Sequence, residues 1–295
     1  MATATLVTGK RVNQVPRRRP SGGRLLYAIR ATVIVLMLFG TLAPLTWIFI
    51  TAFVPNDAVT TLPVTIIPKE WTLDNVAQLF SPEGALPYIQ NSLMATLGST
   101  IAVIAIATPA AYAIARHRFF ANAGGGFSLG ILAARFVPGF MIVIPLFLMF
   151  RNLDLLDSIP GLIIVYTVMN LPLTVWVILP SARQLPPEIM EAAAVDGAGT
   201  WTTFFRISLP LLRPAIATAA TLAMIFSWNE FFTALIFTQL RAQTAPILLS
   251  SFFSDASVQW GGLAATALAV ALPMIVLGIL AQRHLVRGLT AGSVK

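Results

Sequence analysis

Glu191-Ala192-Ala193-Ala194-Val195-Asp196-Gly197, continued through Ile207-Ser208-Leu209-Pro210, is an alanine-rich polar stretch set between two long apolar runs. That placement makes it a loop flanked by membrane helices. Ahead of it, Pro186-Pro187 fix φ for a first helical turn. Glu188 and Glu191 are then expected in that turn, where carboxylates favour the positive end of a helix dipole. Ala192 to Ala194 continue the helix with small side chains, and Gly197 supplies the positive φ that ends it. Thr200 is expected to cap a second segment in which Trp201, Phe204, Phe205 and Ser208 share a face. Pro210 and Pro214 are expected to break or turn the chain into the next apolar run.

Outward from this loop the chain is hydrophobic throughout. Of its 295 residues 57% are hydrophobic and only 10% charged, against about 25% charged in ordinary soluble domains. A membrane span needs about 20 apolar residues. Six stretches qualify, roughly 31–53, 89–115, 127–150, 159–182, 214–238 and 261–282. The expected fold is therefore an all-α polytopic membrane protein of six transmembrane helices. Cysteine is absent, which excludes disulfides and thiolate chemistry.

Charge placement gives an orientation. Fifteen of the 19 basic residues fall in four segments that share one side: the arm from Lys10 to Arg30, Arg116 with Arg118, Arg183 with Arg206 and Arg213, and Arg283 with Arg287 and Lys295. Both termini are thus expected to be cytoplasmic. The net charge of +8 reads as topology, not as a nucleic-acid footprint. Residues 1–30 form a basic arm suited to anionic headgroups, 31–282 the membrane domain, and 283–295 a cytoplasmic tail. The first apolar run is about twice the length of a signal-peptide core, so it reads as an uncleaved helix. The proline-rich external loop 54–88 is long enough to meet an external partner, and equally suited to a spacer over the helix ends.

The spacing Glu191-Ala192-Ala193, Gly197, Ile207, Leu209-Pro210 in loop 183–213 resembles the EAA loop of bacterial ABC importer permeases. The whole chain after residue 30 is similar to the second permease subunit of carbohydrate-uptake ABC importers, the maltose-transporter-like family. The matching pieces are Asn91-Ser92-Leu93, Ala111 to Arg116, Leu171-Pro172, Trp228-Asn229-Glu230-Phe231 and the tail Gly288 to Lys295. The resemblance implies a type I importer (MetI-like) fold in the bacterial inner membrane. It assigns ATPase coupling to Glu188, Glu191, Ala192, Ala193, Asp196, Gly197, Ile207, Leu209 and Pro210. A second ATPase contact is implied at Gly288, Leu289, Thr290 and Gly292. The implied partners are a companion permease in a heterodimer, a cytoplasmic ATPase dimer that binds ATP and Mg, and an extracytoplasmic solute-binding protein. The chain itself would carry no cofactor, and sugar would be the substrate, with a glycerol phosphate as the alternative solute.

Ionisable groups at membrane depth are functional candidates. Glu230, expected inside the fifth span, combines with Trp228 and Asn229 to offer a carboxylate, an aromatic face and an amide, groups that suit sugar hydroxyls. Arg135, in the third span, is expected to line the inner cavity or to snorkel. Loop 239–259, with Asp255 and Gln259, is a further ligand-contact candidate. Gly126-Phe-Ser128-Leu-Gly130 matches a nucleophile pattern by letter. It opens a membrane helix with only His117 nearby, so it reads as a glycine turn. No Walker A pattern occurs, which excludes ATP hydrolysis by this chain. An ion-coupled secondary transporter is the remaining class, and it lacks the clustered intramembrane acids and repeats that such proteins show.

Overall fold

The computed structural model describes residues 22–59, 68–81, 84–116, 126, 130, 131, 133, 139–253 and 258–290. The basic arm up to residue 21, His117, Arg118, Ser128, Arg135, Asp255 and Gly292 lie outside the described residues. Two compact units emerge, Met1–Trp47 and Ile48–Lys295. The first contributes most of α1 (Gly22–Ala52), a helix with exposed apolar residues such as Tyr27, Met37 and Phe39 on its surface. Because α1 starts at Gly22, the last residues assigned to the basic arm are helical, a correction to the boundary at residue 30.

In the second unit α2 (Asn56–Val59) and α3 (Asp74–Gln78) are short. They precede α4 (Leu86–Arg116), α5 (Gly139–Asn152), α6 (Ile159–Arg183) and α7 (Pro187–Val195). Then come α8 (Thr200–Thr203), a π-helical turn over Phe204–Ser208, α9 (Leu209–Trp228), α10 (Phe232–Phe237), α11 (Ala245–Ser251) and α12 (Trp260–Thr290). Among the described residues five helices are long and apolar enough to cross a membrane, and α5 is a shorter apolar helix of 14 residues. The protein is an all-α polytopic membrane protein, as expected. Of the third expected span, α5 is the part described as a continuous helix.

Helices α4, α6 and α9 form the centre, each packed on the other two. In the bilayer there is no water to expel between helices, so close approach of small side chains drives packing. The buried residues of α4 fit this: Ala95, Ser99, Val103, Ala107 and Ala111 face inward. α6 supplies the larger partners Leu162, Tyr166, Ile178 and Leu179, all fully buried. Ser158 caps α6 by accepting from Gly161 N–H at 3.1 Å, with Pro160 in the first turn.

Three expectations about the fifth span are corrected. The helix does not begin at 214. It runs continuously from Thr200 to Trp228, and Pro210 and Pro214 neither break nor turn it. A proline removes one N–H and presses on the carbonyl four residues back. The π turn just before Pro210 opens the ladder there, with Leu209 N–H reaching back to Phe204 C=O. Thr200 is not the cap, which is Gly199, with no side-chain bond. Nor does the span reach 238, because it stops at Trp228. The last helix also continues beyond 282, so Gly288, Leu289 and Thr290 are helical in backbone.

On the Leu86 side of the bundle, the connection after Ala52 is tied down by one amide. Asn75, 2% exposed, donates to Ala52 C=O at 3.2 Å and Val54 C=O at 2.8 Å. Asn56 donates to the Asn75 carbonyl oxygen and accepts from Gly261 N–H at 2.8 Å. A Cβ on Gly261 would come within 2.4 Å of the Asn75 amide nitrogen. Gly261→Ala should therefore dislodge Asn75 and leave buried carbonyls unpaired, at a cost of about 1–3 kcal/mol. Thermal melting in detergent checks this, with Gly278→Ala, whose Cβ meets nothing within 4 Å, expected to melt no lower than wild type.

Candidate functional site

The Glu191 stretch folds as α7 with Pro186 as N-cap and Pro187 as its first residue. Glu188 is the acid of the first turn, whereas Glu191 sits one turn further on, a correction to its expected place. Glu188, Glu191, Ala192 and Val195, spaced i, i+3, i+4 and i+7, are all exposed, and Val195 is 88% exposed. Ala193 is buried at 6% and Met190 half-buried on the opposite face. Gly197 has φ +78°, and the helix ends in a Schellman motif. Ala198 N–H bonds Ala193 C=O at 2.9 Å, and Gly197 N–H bonds Ala194 C=O at 3.1 Å. Asp196 is the exposed C-cap.

The inward face of α7 rests on the Arg116 end of α4. Met190 packs with Leu185, Leu212, Tyr112 and Ile216. Its sulfur lies 4.0 Å from the Tyr112 hydroxyl and 3.6 Å from that of Ser208, both pointing donors at it. Arg116 donates to Leu185 C=O at 3.2 Å and stacks over the Tyr112 ring at 5.8 Å. Tyr112 also meets Phe204 at 5.2 Å. Ile207, Leu209 and Pro210 are half-buried within the continuous Thr200–Trp228 helix, so they anchor the loop and do not extend its exposed face.

Trp228, Asn229 and Glu230 are not brought together. Trp228 is 4% exposed and packs with Ala245, Val270 and Ile89. Asn229 caps the end of α9 and donates to Ile225 C=O at 2.8 Å. Glu230 lies in the break, where its Oε1 accepts from Thr233 N–H at 2.7 Å. Glu230 thus satisfies an N–H that the break frees at the start of α10, while Asn229 adds a second bond to a carbonyl that already accepts its own N–H. Glu230 lines a cavity of ≈ 420 Å³, together with Tyr166, Asn170 and Ser227 among apolar residues of α5, α6 and α9, while Trp228 and Asn229 line a separate one of ≈ 430 Å³ against α12.

The cavity's polar wall was not legible in the sequence. Asn170 donates to Tyr166 C=O at 3.0 Å and to Ser227 Oγ at 3.1 Å. Ser227 Oγ in turn lies 3.1 Å from Ser99 Oγ. One amide thus joins α4, α6 and α9. An asparagine in the middle of an apolar run was the available signal, since such a group must find partners within the protein.

A second residue missed is Asp157, in the tight turn between α5 and α6. Its φ is +49°, and its carboxylate accepts from the N–H groups of Gln239, Leu240, Arg241 and Ala242 at 3.0–3.2 Å. From α4, Asn91 donates to the carbonyls of Arg241 and Gln243 at 2.9 Å, and Ser92 accepts from Ala245 N–H at 2.8 Å. Burial raises the Asp157 carboxyl pKa, but the bonds from Gln239, Ala242, Arg241 and Leu240 outweigh that and hold it below the ordinary 3.8. A depressed carboxyl contributes stability above its unfolded value and loses it as pH falls through the folded one. Asp157→Ala should therefore speed tryptic cleavage after Arg241. In wild type, the protection of the amides at 239–242, measured against their intrinsic exchange rates, should fall as pH drops below 3.8. Equal cleavage rates in both proteins would show that the clamp is dispensable.

A bundle of this kind, with a capped, exposed loop helix seated on one end, defines a transport permease subunit. Residues 104–290 match the family described as "Binding-protein-dependent transport system inner membrane component", and the chain belongs to that family. It is 37% identical over 257 residues to a probable ABC transporter permease of Sinorhizobium fredii, covering 87% of this chain and 91% of the relative. A diacetylchitobiose uptake system permease of Streptomyces coelicolor is 32% identical, covering 88% and 94%. A trehalose transport system permease of Mycobacterium tuberculosis is 34% identical, covering 86% and 92%. The fold matches a chain in the crystal structure of a bacterial ABC transporter that imports the acidic polysaccharide alginate. The TM-score is 0.76 at 20% identity, covering 91% of this chain and 99% of that one. The protein is a multi-pass ABC importer permease, a transport subunit and not an enzyme. Permeases of this kind work with an ATPase and a binding protein.

Proposed function

We propose that this chain is one of two different permease subunits of a sugar importer. Its α7 loop docks one protomer of a cytoplasmic ATPase dimer. The observation that carries the coupling role is the exposed Glu188–Glu191–Ala192–Val195 face of α7, stopped at Gly197 and seated through Met190 on α4. A short helix held on one side and bare on the other is a shape that fits a groove on a partner. The family's ATPase carries ATP and Mg, and the Arg116 end of the bundle is the cytoplasmic one, consistent with the expected charge bias. The helical residues Gly288 to Thr290 then lie on the ATPase side as a second contact. The membrane domain, residues 31–282 of the sequence reading with α1 begun earlier, forms half of the pathway, and Glu230, Ser227 and Asn170 line it. Sugar as the solute is supported by the trehalose and diacetylchitobiose relatives and by the hydroxyl-matching groups of the cavity.

Purification in mild detergent with mass spectrometry of the co-purifying chains tests this directly. An ATPase and a second permease in fixed ratio are expected; a lone, stable chain would overturn the reading. Glu191→Arg should reduce the ATPase recovered. Gly197→Val places a β-branched residue at φ +78°, which costs about 1–2 kcal/mol and should lower solute-stimulated ATPase activity while assembly persists. Glu230→Gln keeps the acceptor for Thr233 N–H and removes the charge. Reduced uptake with unchanged thermal stability is the outcome expected of a pathway carboxylate.

A further inference from the structure

At the Arg116 end of α4 lies a groove of ≈ 420 Å³, separate from the Glu230 cavity. Pro109, Tyr112, Ala113 and Arg116 of α4 form one wall, and Trp201 and Phe204 form most of the other. Its surface is almost wholly apolar, and among the described residues that line it there is no carboxylate and Arg116 is the single charge. One of its terminal nitrogens holds Leu185 C=O, while its buried Nε–H has no hydrogen-bond partner. A half-buried guanidinium charge beside an apolar surface is costly unless an anion neutralises it.

The position of the groove fits an amphiphile. Arg116 ends a 31-residue apolar span, so the groove begins in hydrocarbon and opens at the headgroup level. Trp201, 69% exposed, stacks on Phe205 with ring centroids 5.9 Å apart, the aromatic arrangement found at membrane–water interfaces. A soluble anion has no use for the apolar floor, and a neutral lipid leaves the Arg116 charge uncompensated. With no carboxylate among the described lining residues to meet an ammonium headgroup, a zwitterionic lipid gains less than an anionic one.

We propose that this groove binds one anionic phospholipid, its phosphate at Arg116 and an acyl chain along α4 between Ala113 and Trp201. The site goes beyond the importer reading and rests on it only for the leaflet, which is then the cytoplasmic one. The lipid touches both α4 and the Thr200–Phe204 segment that links Gly197 to α9. It thereby braces the loop helix from behind.

The test uses the full chain purified in neutral detergent, with whatever subunits accompany it. Phosphatidylglycerol or phosphatidylcholine is added, and bound lipid is read by native mass spectrometry. Wild type should retain one phosphatidylglycerol about five-fold more than phosphatidylcholine, and phosphatidylglycerol should raise its melting temperature. Arg116→Gln should lose that preference, though it also gives up the Leu185 bond. Ala113→Trp fills the groove, leaves Arg116 in place, and should lose the bound lipid while remaining folded. Equal retention of both lipids by wild type would show a groove for tails alone and overturn the proposal, as would undiminished phosphatidylglycerol in Ala113→Trp. A chain that purifies alone yet retains the lipid would sink the importer assembly and leave this site standing.

Discussion

A carboxamide in the middle of a membrane helix needs hydrogen-bond partners close at hand, and the N–H₂ of Asn170 finds both of its partners within the protein. One direction of its N–H₂ goes to Tyr166 C=O on its own helix and the other to Ser227 Oγ on α9, which is shared with Ser99 on α4. Unpaired, these groups would each cost several kcal/mol in hydrocarbon, so the rotation of three helices about their axes is fixed together. That rotation turns the small residues of α4 toward α6 and leaves Asn170 and Ser227 on the wall of the cavity that α5 also lines. The apolar packing then follows from a polar constraint, because among small, similar side chains dispersion alone discriminates poorly between neighbouring registers.

The same requirement explains the irregular segments, and it divides the bundle into a stiff end and a softer one. The break at 229–231 is capped by Asn229 and Glu230, and the stretch 239–245 is held by Asp157, Asn91 and Ser92 from two other elements. These are directional bonds, several of them to a carboxylate, and they leave little freedom. At the Arg116 end α7 is seated instead through the Met190 thioether and aromatic contacts. Sulfur contacts are weak and tolerant of direction, so the seating of α7 depends less on directional bonds than the two irregular segments do.

Much of this was legible in the sequence and some was not, for identifiable reasons. The spans at 89–115 and 159–182 emerge within a few residues because long apolar runs leave a helix as the sole spanning structure open to the backbone. Gly197 was legible because glycine adopts a positive φ at no steric cost and commonly ends a helix. Pro210 misled, since a proline reads as a stop unless a π turn upstream absorbs it, and nothing in the residues Phe204 to Ser208 announces that turn. Asp157, Asn75 and Asn170 act on backbone groups 21 to 85 residues away or on neighbouring helices. No local pattern reports such partners.

Trp228-Asn229-Glu230 shows how a chemical reading and an architectural one converge on a single atom. Three consecutive polar or aromatic residues looked like a ligand face, yet consecutive residues on a helix point about 100° apart, and the helix ends there. The segment is first a self-capped break. The cap has a consequence for the cavity, however. Thr233 N–H holds Glu230 Oε1 at 2.7 Å and so fixes the carboxylate at the cavity wall beside Ser227. Freely rotating, that side chain would lose rotamer entropy on meeting any solute. Held by the backbone, it presents its remaining acceptor positions already in place, which is what a site for hydroxyl-bearing solutes requires of its supporting bonds.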